Sequence, residues 1–446
     1  MKKFRLGVPL LLVLLFAGSA YYLTDSRAGV IREYNEKLQQ AREAVQNGVL
    51  TDGMSMYREA LAIHPSVEIY TEAGNVFLDK EDPSAAYSWY EKEFAPAYPD
   101  APKTYEFGIR ASLAAQDYQE AFVIYDTCAK REALSTAVKE LMEPVWYAYE
   151  LLYGRYDQAA AFSVDNGLAA VASDGRWGYV NQKGTSVIGA SYLSADLFAT
   201  YAPVVDADGN ASYIDASGNA KITASQFTNE DGNPAGIKQF RPLAGGFALA
   251  FNGSSWSYYD LETYQKRPGS YADATVIANG VGAVTEDGNT WALIGADGSI
   301  RTPYDYEEVA VNDRGEICCA DRLFVKKDGT YWLTDPNGTQ ISAQAYEDAD
   351  AFYEDSYAAV KKDGVWQYIN ASGEEQNLGT FEEAKSFSNG MAAVKINGMW
   401  GYIDLEGKQA IAPVFYDAGA FHRAGVAFVK QTEDDWSVLR LYRRSS

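Results

Sequence analysis

Seven Asp-Gly or Asn-Gly pairs between residues 174 and 398 are each followed, within a few residues, by an aromatic-rich segment. The most complete copy, residues 397–407, reads Asn-Gly-Met-Trp-Gly-Tyr-Ile-Asp-Leu-Glu-Gly, and residues 174–180 and 363–369 keep its register. The positions equivalent to Trp400 recur near every 35 residues, with two insertions, at 177, 211, 256, 291, 331, 366, 400 and 436. A fixed period of this length predicts a repeat architecture in which each unit packs against its neighbours.

Each repeat has the pattern of a β-hairpin followed by a further short strand. Two β-prone runs joined by Asn-Gly or Asp-Gly predict a type I′ turn, because both central residues of that turn need a positive φ. Strand alternation then places Trp400 and Tyr402 on one face, and Gly401 and Ile403 on the other. A phenylalanine closes most units, at Phe198, Phe240, Phe352, Phe387 and Phe421.

These residues resemble a known family. Trp-Gly-Tyr-Ile-Asp-x-x-Gly after the turn, followed by Ile-x-Pro-x-Phe/Tyr-Asp-x-Ala-x-x-Phe, is similar to the WG-repeat proteins found widely in bacteria. The resemblance covers residues 162–446 and implies a repetitive all-β domain of about eight units with binding or scaffold roles and no catalytic residues. Ala211 and Tyr331 replace tryptophan, and residues 228–238 are an insertion, so the second to fifth units depart most from the pattern.

Eight units of three strands fit two architectures. A closed β-propeller removes the free sheet edges by radial repetition, whereas an open β-hairpin solenoid needs a cap at each end. We favour the propeller, because the last unit stops after two strands and residues 167–172 can supply a complementary edge. The predicted fold class is therefore α + β multidomain, with a helical region before an all-β, propeller-like WG-repeat domain.

Residues 28–161 have the periodicity of helices. Apolar residues recur at three- and four-residue spacing, and β-branched runs are scarce. A small residue followed by an aromatic residue four positions later occurs as Gly53-Tyr57, Ala85-Trp89 and Ala121-Tyr125, in a spacing that resembles the tetratricopeptide repeat of about 34 residues. We therefore predict tetratricopeptide-like (TPR-like) helix pairs.

Residues 1–27 have the pattern of a signal anchor or a signal peptide. Lys2, Lys3 and Arg5 precede an uncharged apolar stretch at 6–23. Basic residues before such a stretch predict an N-terminus inside and a body outside the cytoplasm. We predict a single-pass protein of the bacterial cell membrane, with secretion after signal cleavage as the alternative.

Composition narrows the partners. The chain has 61 acidic and 38 basic residues, a net charge of −23, which argues against nucleic acid because phosphate binding needs a basic patch. Three cysteines, Cys128, Cys318 and Cys319, cannot form a disulfide framework.

Motifs for chemistry are scarce. The chain has only two histidines, His64 and His422, too few for a His-based zinc site, and contains no P-loop and no Gly-x-Ser-x-Gly motif. The Asp206-x-Asp208-x-Asn210 run has the opening spacing of a calcium loop, but Ala211 occupies the position that requires glycine, so we favour turn formation. We predict no catalytic, cofactor-binding or metal-binding residues, and no cofactor.

The many aromatic side chains have two interpretations. Trp177, Trp366 and Trp400 can stack on a ligand, but we favour a place in the packing between units, because every unit must bury the same face. Tyrosines at less regular positions are the better candidates for a binding surface, namely Tyr258, Tyr259, Tyr304 and Tyr306.

The sequence as a whole predicts a non-enzymatic, membrane-anchored extracytoplasmic interaction or scaffold protein that binds a protein, peptide or glycan. One alternative is an extracytoplasmic polysaccharide hydrolase on a propeller, which carboxylates of raised pKa lining one pocket would favour. Another is a structural spacer. Any specific site is expected in the second to fifth units, where the repeat is least regular.

Overall fold

The computed structural model describes residues 28–354 and 357–443. The chain divides between Trp146 and Tyr147 into a helical unit and a β unit. The predicted boundary at 161/162 is corrected to this point, because Tyr149–Leu151 and Gln158–Ala159 are already strands.

The helical unit consists of short helices joined by tight connections. They are α1 (28–46 in the described residues), α2 (Leu50–Ile63), α3 (Val67–Asp79), α4 (Pro83–Trp89), α5 (Ala95–Ala97), α6 (Pro102–Ala114), α7 (Tyr118–Lys130) and α8 (Thr136–Met142). A π-helical turn, Tyr90–Phe94, joins α4 to α5, and a 3-10 turn, Glu143–Val145, follows α8.

Three polar contacts between these helices recur at the same offset along the sequence. The pairs Arg58–Glu93, Lys103–Glu68 and Arg110–Asn75 each join side chains 35 residues apart. A constant offset is expected when successive helix pairs stack in the same way. The helical unit is therefore built from stacked helix pairs, as the sequence period predicts.

The small residues of α2, α4 and α7, the second helix of each pair, are buried where these helices pack. Gly53, Ala60 and Ala121 are buried in α2 and α7. In α4 the fully buried small residue is Ala86, followed four positions later by buried Tyr90, rather than the predicted Ala85 with Trp89. Trp89 is also buried, and its Nε1 donates to the Tyr70 carbonyl at 3.0 Å.

The membrane prediction is corrected. None of the helices in the described residues is both long and apolar enough to cross a bilayer. The prediction of a single-pass membrane protein, with the membrane as a partner, is therefore wrong for the described chain. The apolar stretch 6–23 on which it rested lies outside the described residues.

The β unit is an eight-bladed β-propeller. Each blade is an antiparallel sheet, and in blades 1 to 7 the strands follow in sequence order. Blades 3 and 4 have three strands and the others four. Blade 1 contains Gln158–Ala159, Ala169–Ser173, Arg176–Val180 and Ser186–Tyr192, and blade 2 contains Ser194–Ala195, Ala202–Val205, Ala211–Ile214 and Ala220–Thr223. Blade 3 contains Gln239–Phe240, Phe247–Phe251 and Trp256–Asp260, and blade 4 contains Asp273–Ala274, Val281–Thr285 and Trp291–Gly295. Blade 5 contains Glu308–Val309, Leu323–Lys327, Thr330–Thr334 and Gln340–Tyr346. Blade 6 contains Asp348–Ala349, Ala358–Lys362, Val365–Ile369 and Glu375–Phe381, and blade 7 contains Glu383–Ala384, Met391–Ile396, Met399–Asp404 and Gln409–Phe415.

Blade 8 closes the ring with strands from both ends of the β unit. Asp417–Ala418, Val426–Lys430 and Trp436–Leu441 supply three strands, and Tyr149–Leu151 pairs with the last of them. Glu150 forms an ion pair with Arg440 across this junction. The predicted closing edge, residues 167–172, is wrong, because Ala169–Ser173 is already the second strand of blade 1.

The core of the propeller is divided among the interfaces between neighbouring blades. Eight apolar clusters in the described residues each join two consecutive blades. One of them joins blade 8 to blade 1, where the rings of Phe162 and Phe428 stack with centroids 4.7 Å apart. Ring closure is thus supported by packing as well as by strand pairing.

The hairpin turns follow the sequence pattern in the regular blades. Asn397 and Gly398 have φ values of 52° and 78°, and Asp174 and Gly175 have 52° and 70°, as a type I′ turn requires. In blade 2, by contrast, Asp206 Oδ1 accepts from the backbone N–H of Asp208 at 2.9 Å and of Asn210 at 2.8 Å. The Asp206 side chain thus makes the hydrogen bonds of a turn.

Candidate ligand-binding site

A cavity of about 610 Å³ lies on the central channel of the propeller, between blades 2 and 5. The first strands of three consecutive blades contribute Gln239, Asp273 and Glu308, so these strands form the channel wall. We call this space the channel cavity. It is lined by Asp196, Gln239, Arg241, Pro242, Trp256, Asp273, Thr275, Val276, Trp291, Glu308, Val309, Val311, Asp313, Arg314 and Gly315.

A long loop of blade 5 brings Asp313 and Arg314 into the channel cavity. The loop connects the first two strands of that blade, from 310 to 322. Asn312 orders it: its Oδ1 accepts from the backbone N–H of Arg314 at 3.0 Å, and its Nδ2 donates to the Phe352 carbonyl at 3.3 Å. The Arg314 guanidinium lies 5.5 Å from the centroid of the Tyr353 ring.

Arg241 is the best-partnered cation in the channel cavity. Its Nη2 donates to Oδ1 of Asp273 at 2.9 Å, and its guanidinium lies 4.5 Å from the centroid of the Trp256 ring. Nη1 donates to the carbonyl of Ala274. Arg241 is therefore fixed between blades 3 and 4, and its charge is balanced by Asp273.

Two carboxylates of the channel cavity have raised pKa values. Asp196 and Asp313 are accessible to water in the cavity, but the surrounding protein excludes most bulk solvent, and this desolvation raises the pKa of both carboxyls. Nearby charge opposes the shift, from Arg241 at Asp196 and from Arg314 and Lys385 at Asp313. The two carboxylates thus have separate charged neighbours.

A third carboxylate of raised pKa lies further around the ring. Burial raises the pKa of Asp350 to about 6, against the effect of the Ser386 backbone N–H, which donates to Oδ2 at 2.6 Å. The charge of Asp313 adds to the increase. Asp350 is not part of the cavity lining.

Grouped metal ligands and histidines are scarce in the described residues. In residues 28–354 and 357–443, no three His, Cys, Asp or Glu side chains are grouped so that they can hold a metal ion. His422 is 4 % exposed, and its Nδ1 accepts from the backbone N–H of Ala424 at 3.1 Å, while burial lowers its pKa. His64 belongs to the helical unit.

The tryptophans pack between units as predicted, whereas most of the tyrosines differ from the prediction. Trp400 belongs to a blade interface and is 6 % exposed, whereas Trp177 and Trp366 are half-buried against such interfaces. Of the tyrosines expected on a binding surface, Tyr304 is half-buried, whereas Tyr258, Tyr259 and Tyr306 are buried, so the prediction is wrong for these three. They occupy repeat positions after all, which the irregular spacing of blades 3 and 4 conceals.

The sequence did not single out the residues that line the channel cavity. Gln239, Asp273 and Glu308 lie in first strands of only two residues, too short to show any alternation. Only their shared position in the repeat gives a signal in the sequence: each residue comes after the last strand of the previous blade and directly before an apolar residue. The cavity offers exposed carboxylates, a fixed guanidinium and two half-buried indole rings, a set suited to a polar ligand with a cationic or a sugar face.

Comparison with known proteins identifies part of the chain. A family profile described as WG containing repeat matches residues 335–366, 368–400 and 400–433. Among curated proteins, none matches the chain.

Solved structures of low sequence identity are similar to parts of the chain. PorZ, a bacterial surface component of the type-IX secretion system of Porphyromonas gingivalis, is 15% identical over 66% of this chain and 38% of its own, with a TM-score of 0.35. The chain thus spans well under half of PorZ. BamB from Moraxella catarrhalis is 10% identical over 64% of this chain and 85% of its own, with a TM-score of 0.33. The Sgt2 TPR domain from Aspergillus fumigatus is 18% identical over 25% of this chain and 76% of its own, with a TM-score of 0.21.

The matched residues span blades 6 and 7 together with adjoining segments of blades 5 and 8. Blades 6 and 7 contain the two complete Asp/Asn-Gly turns at 363 and 397. Residues 335–433 are therefore WG-containing repeats, and a helical unit precedes the propeller in the sequence.

Proposed function

We propose that this protein is a non-enzymatic interaction protein whose propeller binds a protein, peptide or glycan in the channel cavity. The observation that carries the proposal is the location of that cavity, in blades 2 to 5, where the repeat is least regular. Regular positions such as Tyr402 are buried in blade interfaces and hold the ring together. The polar side chains of Asp196, Gln239, Glu308 and Asp313 lie outside the apolar clusters and are exposed to a ligand in the cavity.

The helical unit supports the same role. Stacked helix pairs form extended surfaces that repeat proteins use for binding. We propose that this unit contacts a protein partner while the propeller holds the ligand. Its own aromatic side chains, such as Trp89 and Phe94, are buried between helices and serve packing.

A polysaccharide hydrolase is the second candidate, and one observation favours it. Asp196 and Asp313 line the same cavity, and both carboxyls have raised pKa values. Glycoside hydrolysis uses two carboxylates about 5–10 Å apart, one of them a general acid of raised pKa. We rank this function second because the charged neighbours of Asp196 and Asp313 are different, as expected of carboxylates that act separately.

Single substitutions separate the two candidates. Hydrolysis predicts release of reducing sugar from a polysaccharide panel, and loss of this activity in both Asp196→Asn and Asp313→Asn. The interaction role predicts no release by the wild-type protein. Release that both substitutions abolish would replace our proposal with the hydrolase.

Affinity capture with a blocked cavity tests binding directly. The exposed Val311 lines the channel cavity, so Val311→Arg places a long side chain in it. Val365, which is similarly exposed, lies on blade 6 outside the cavity, so Val365→Arg is the matched control. Immobilised wild type and Val365→Arg are expected to retain the same saturable ligand from a cell extract, and Val311→Arg is expected to lose it. Equal retention by all three proteins contradicts the proposal, and no retention by any of them indicates a structural spacer.

A further inference from the structure

A cation in blade 3 bridges an aromatic ring of its own blade and a carboxylate of the next blade. Arg241 is the residue directly after the first strand, Gln239–Phe240. Its guanidinium lies 4.5 Å from the centroid of Trp256, and its Nη2 lies 2.9 Å from Oδ1 of Asp273, the first residue of blade 4. One positive charge thus contacts both the aromatic face and the carboxylate.

Blade 7 repeats the arrangement with a lysine. Lys385 directly follows the first strand, Glu383–Ala384. Its Nζ lies 5.3 Å from the centroid of the Trp400 ring and 3.5 Å from Oδ1 of Asp417, the first residue of blade 8. Two blades of the same ring therefore place a cation at equivalent positions, between a third-strand tryptophan and the next first-strand acid.

Blade 4 has the tryptophan and the acid but lacks the cation. The residue after its first strand is Thr275, whose side chain is too short to span the gap. The equivalent ring is Trp291, and the equivalent acid is Glu308, the first residue of blade 5. In the described part of the chain, no Lys or Arg lies over the Trp291 ring.

All three residues of this incomplete arrangement line the channel cavity. Trp177 and Trp366 also carry no cation in the described residues, but neither lines the cavity. Glu308 lies 3.5 Å from Lys326 and accepts a hydrogen bond from the Tyr331 hydroxyl, yet its side chain is 57% exposed, so part of the carboxylate remains open to the cavity. We call the space between Trp291 and Glu308 the blade 4 slot.

We propose that the blade 4 slot binds an alkylammonium or guanidinium group supplied by the ligand, namely a Lys or Arg side chain of a partner polypeptide. The proposal rests on the function proposed above and names the chemistry that the channel cavity recognises. A ligand cation there completes the arrangement that Arg241 and Lys385 complete within the chain. Cations bind over indole rings, and more strongly where a carboxylate lies beside the ring.

The charges around the slot fit the same ligand. Asp196 and Asp313 add two further carboxylates to the channel cavity, whereas the charge of Arg241 is already matched by Asp273. The whole chain carries a net charge of −23, which attracts cationic partners over a distance. A volume of about 610 Å³ accommodates a side chain together with flanking peptide.

Calorimetry with defined probes tests the slot in the full chain. The probes are an N-acetylated, C-amidated tetralysine peptide, the matching tetraglutamate peptide, and spermine as a free polyamine. Wild type is expected to bind tetralysine and not tetraglutamate. Glu308→Gln removes the carboxylate of the slot and should weaken tetralysine binding at least about 10-fold. Glu383→Gln, the equivalent acid of blade 7 outside the cavity, should leave the affinity unchanged.

A substitution that fills the slot from within gives a second test. Thr275→Lys reproduces the residue found at 385, and we expect it to abolish tetralysine binding. Because Thr275 Oγ1 accepts from the Ala283 backbone N–H at 2.8 Å, the melting temperature of this variant is measured first. If Thr275→Lys does not fold, the slot is tested by the comparison of Glu308→Gln with Glu383→Gln.

The outcomes separate this inference from the proposed function. Equal affinity of wild type and Glu308→Gln for tetralysine, or equal weakening by Glu383→Gln, overturns the slot. If Val311→Arg still abolishes ligand capture in that case, the proposed function stands with a different ligand chemistry. Tighter binding of spermine than of tetralysine overturns the polypeptide source and assigns a free polyamine.

Discussion

The hydroxyl of Tyr402 donates a hydrogen bond of 2.9 Å to the backbone carbonyl of Gly419 in the next blade. The same bond recurs at four other interfaces, from Tyr179 to Asp196, Tyr213 to Arg241, Tyr258 to Thr275 and Tyr368 to Lys385. Blades 4, 5 and 8 have Leu293, Leu333 and Val438 at this position. The tyrosine of the Trp-Gly-Tyr run therefore joins consecutive blades by a buried polar contact.

Tyr402→Phe is expected to lower the free energy of unfolding by roughly 1–3 kcal/mol, because it leaves the half-buried Gly419 carbonyl without the donor that the hydroxyl supplies. Urea denaturation measures the change. Tyr416→Phe is the matched control, since that side chain is 46% exposed. Equal stability of the two variants would contradict the role of this bond.

Gly401 lies where the fourth strand of blade 7 bulges over the third. A Cβ at this position would lie 2.6 Å from the carbonyl oxygen of Ile411 and 2.7 Å from the nitrogen of Pro413, both backbone atoms. Gly401→Ala should therefore reduce the free energy of unfolding by roughly 1–3 kcal/mol. Gly189→Ala in blade 1, where nothing lies within 4 Å of a Cβ, should be nearly neutral. Melting temperatures that fall equally would show that crowding at Gly401 is not the cause.

Trp400 is interface packing rather than a ligand platform. Because Trp400 is 6 % exposed, Trp400→Ala should destabilise the propeller by about 3–5 kcal/mol. Trp366→Ala should have a smaller effect, because that ring is only half-buried. Denaturation of both variants checks the order, and a Trp400→Ala variant that melts like the wild type would favour surface stacking instead.

Asp350 should make the stability of the protein depend on pH. Its folded pKa, about 6, lies above the value of an exposed aspartate, so the folded state binds this proton more tightly than the unfolded state does. The contribution of Asp350 is therefore most favourable below about pH 4 and is lost as the pH rises through about 6.

Asp350→Asn removes this dependence. Asparagine can still accept from the Ser386 backbone N–H, so at pH 8 the variant should be more stable than wild type by roughly 1–3 kcal/mol, with little difference at pH 4. Asp208→Asn, at an exposed turn residue, is the control. Parallel stability curves for wild type and Asp350→Asn between pH 4 and pH 8 would refute the assignment.

The repeat period predicted the number of blades and the place of the core because each unit buries the same residues. Alternation around Gly401 correctly placed Trp400 and Tyr402 together in one interface and Ile403 in the other. The closing strand could not be predicted in this way: Tyr149–Leu151 is too short to show periodicity, and its pairing with Trp436–Leu441 joins residues almost 290 positions apart.

The channel cavity was predictable in location but not in composition. Loss of the pattern in the second to fifth units pointed to blades 2 to 5, because residues released from interface packing are free to differ. The lining residues come from two-residue strands and from the 310–322 loop, whose path depends on contacts such as Asn312 with Phe352. Such contacts between distant segments have no local signal in the sequence.

The central claim is that regular blades hold the ring while blades 2 to 5 hold the ligand. Hydrogen exchange of the full chain, free and saturated with the ligand that affinity capture recovers, tests it most directly. We predict slower exchange in segments 239–242, 273–276 and 308–315, with no change in the equivalent segments of blades 6 to 8. Protection confined to blades 6 to 8, or to the helical unit, would contradict the account.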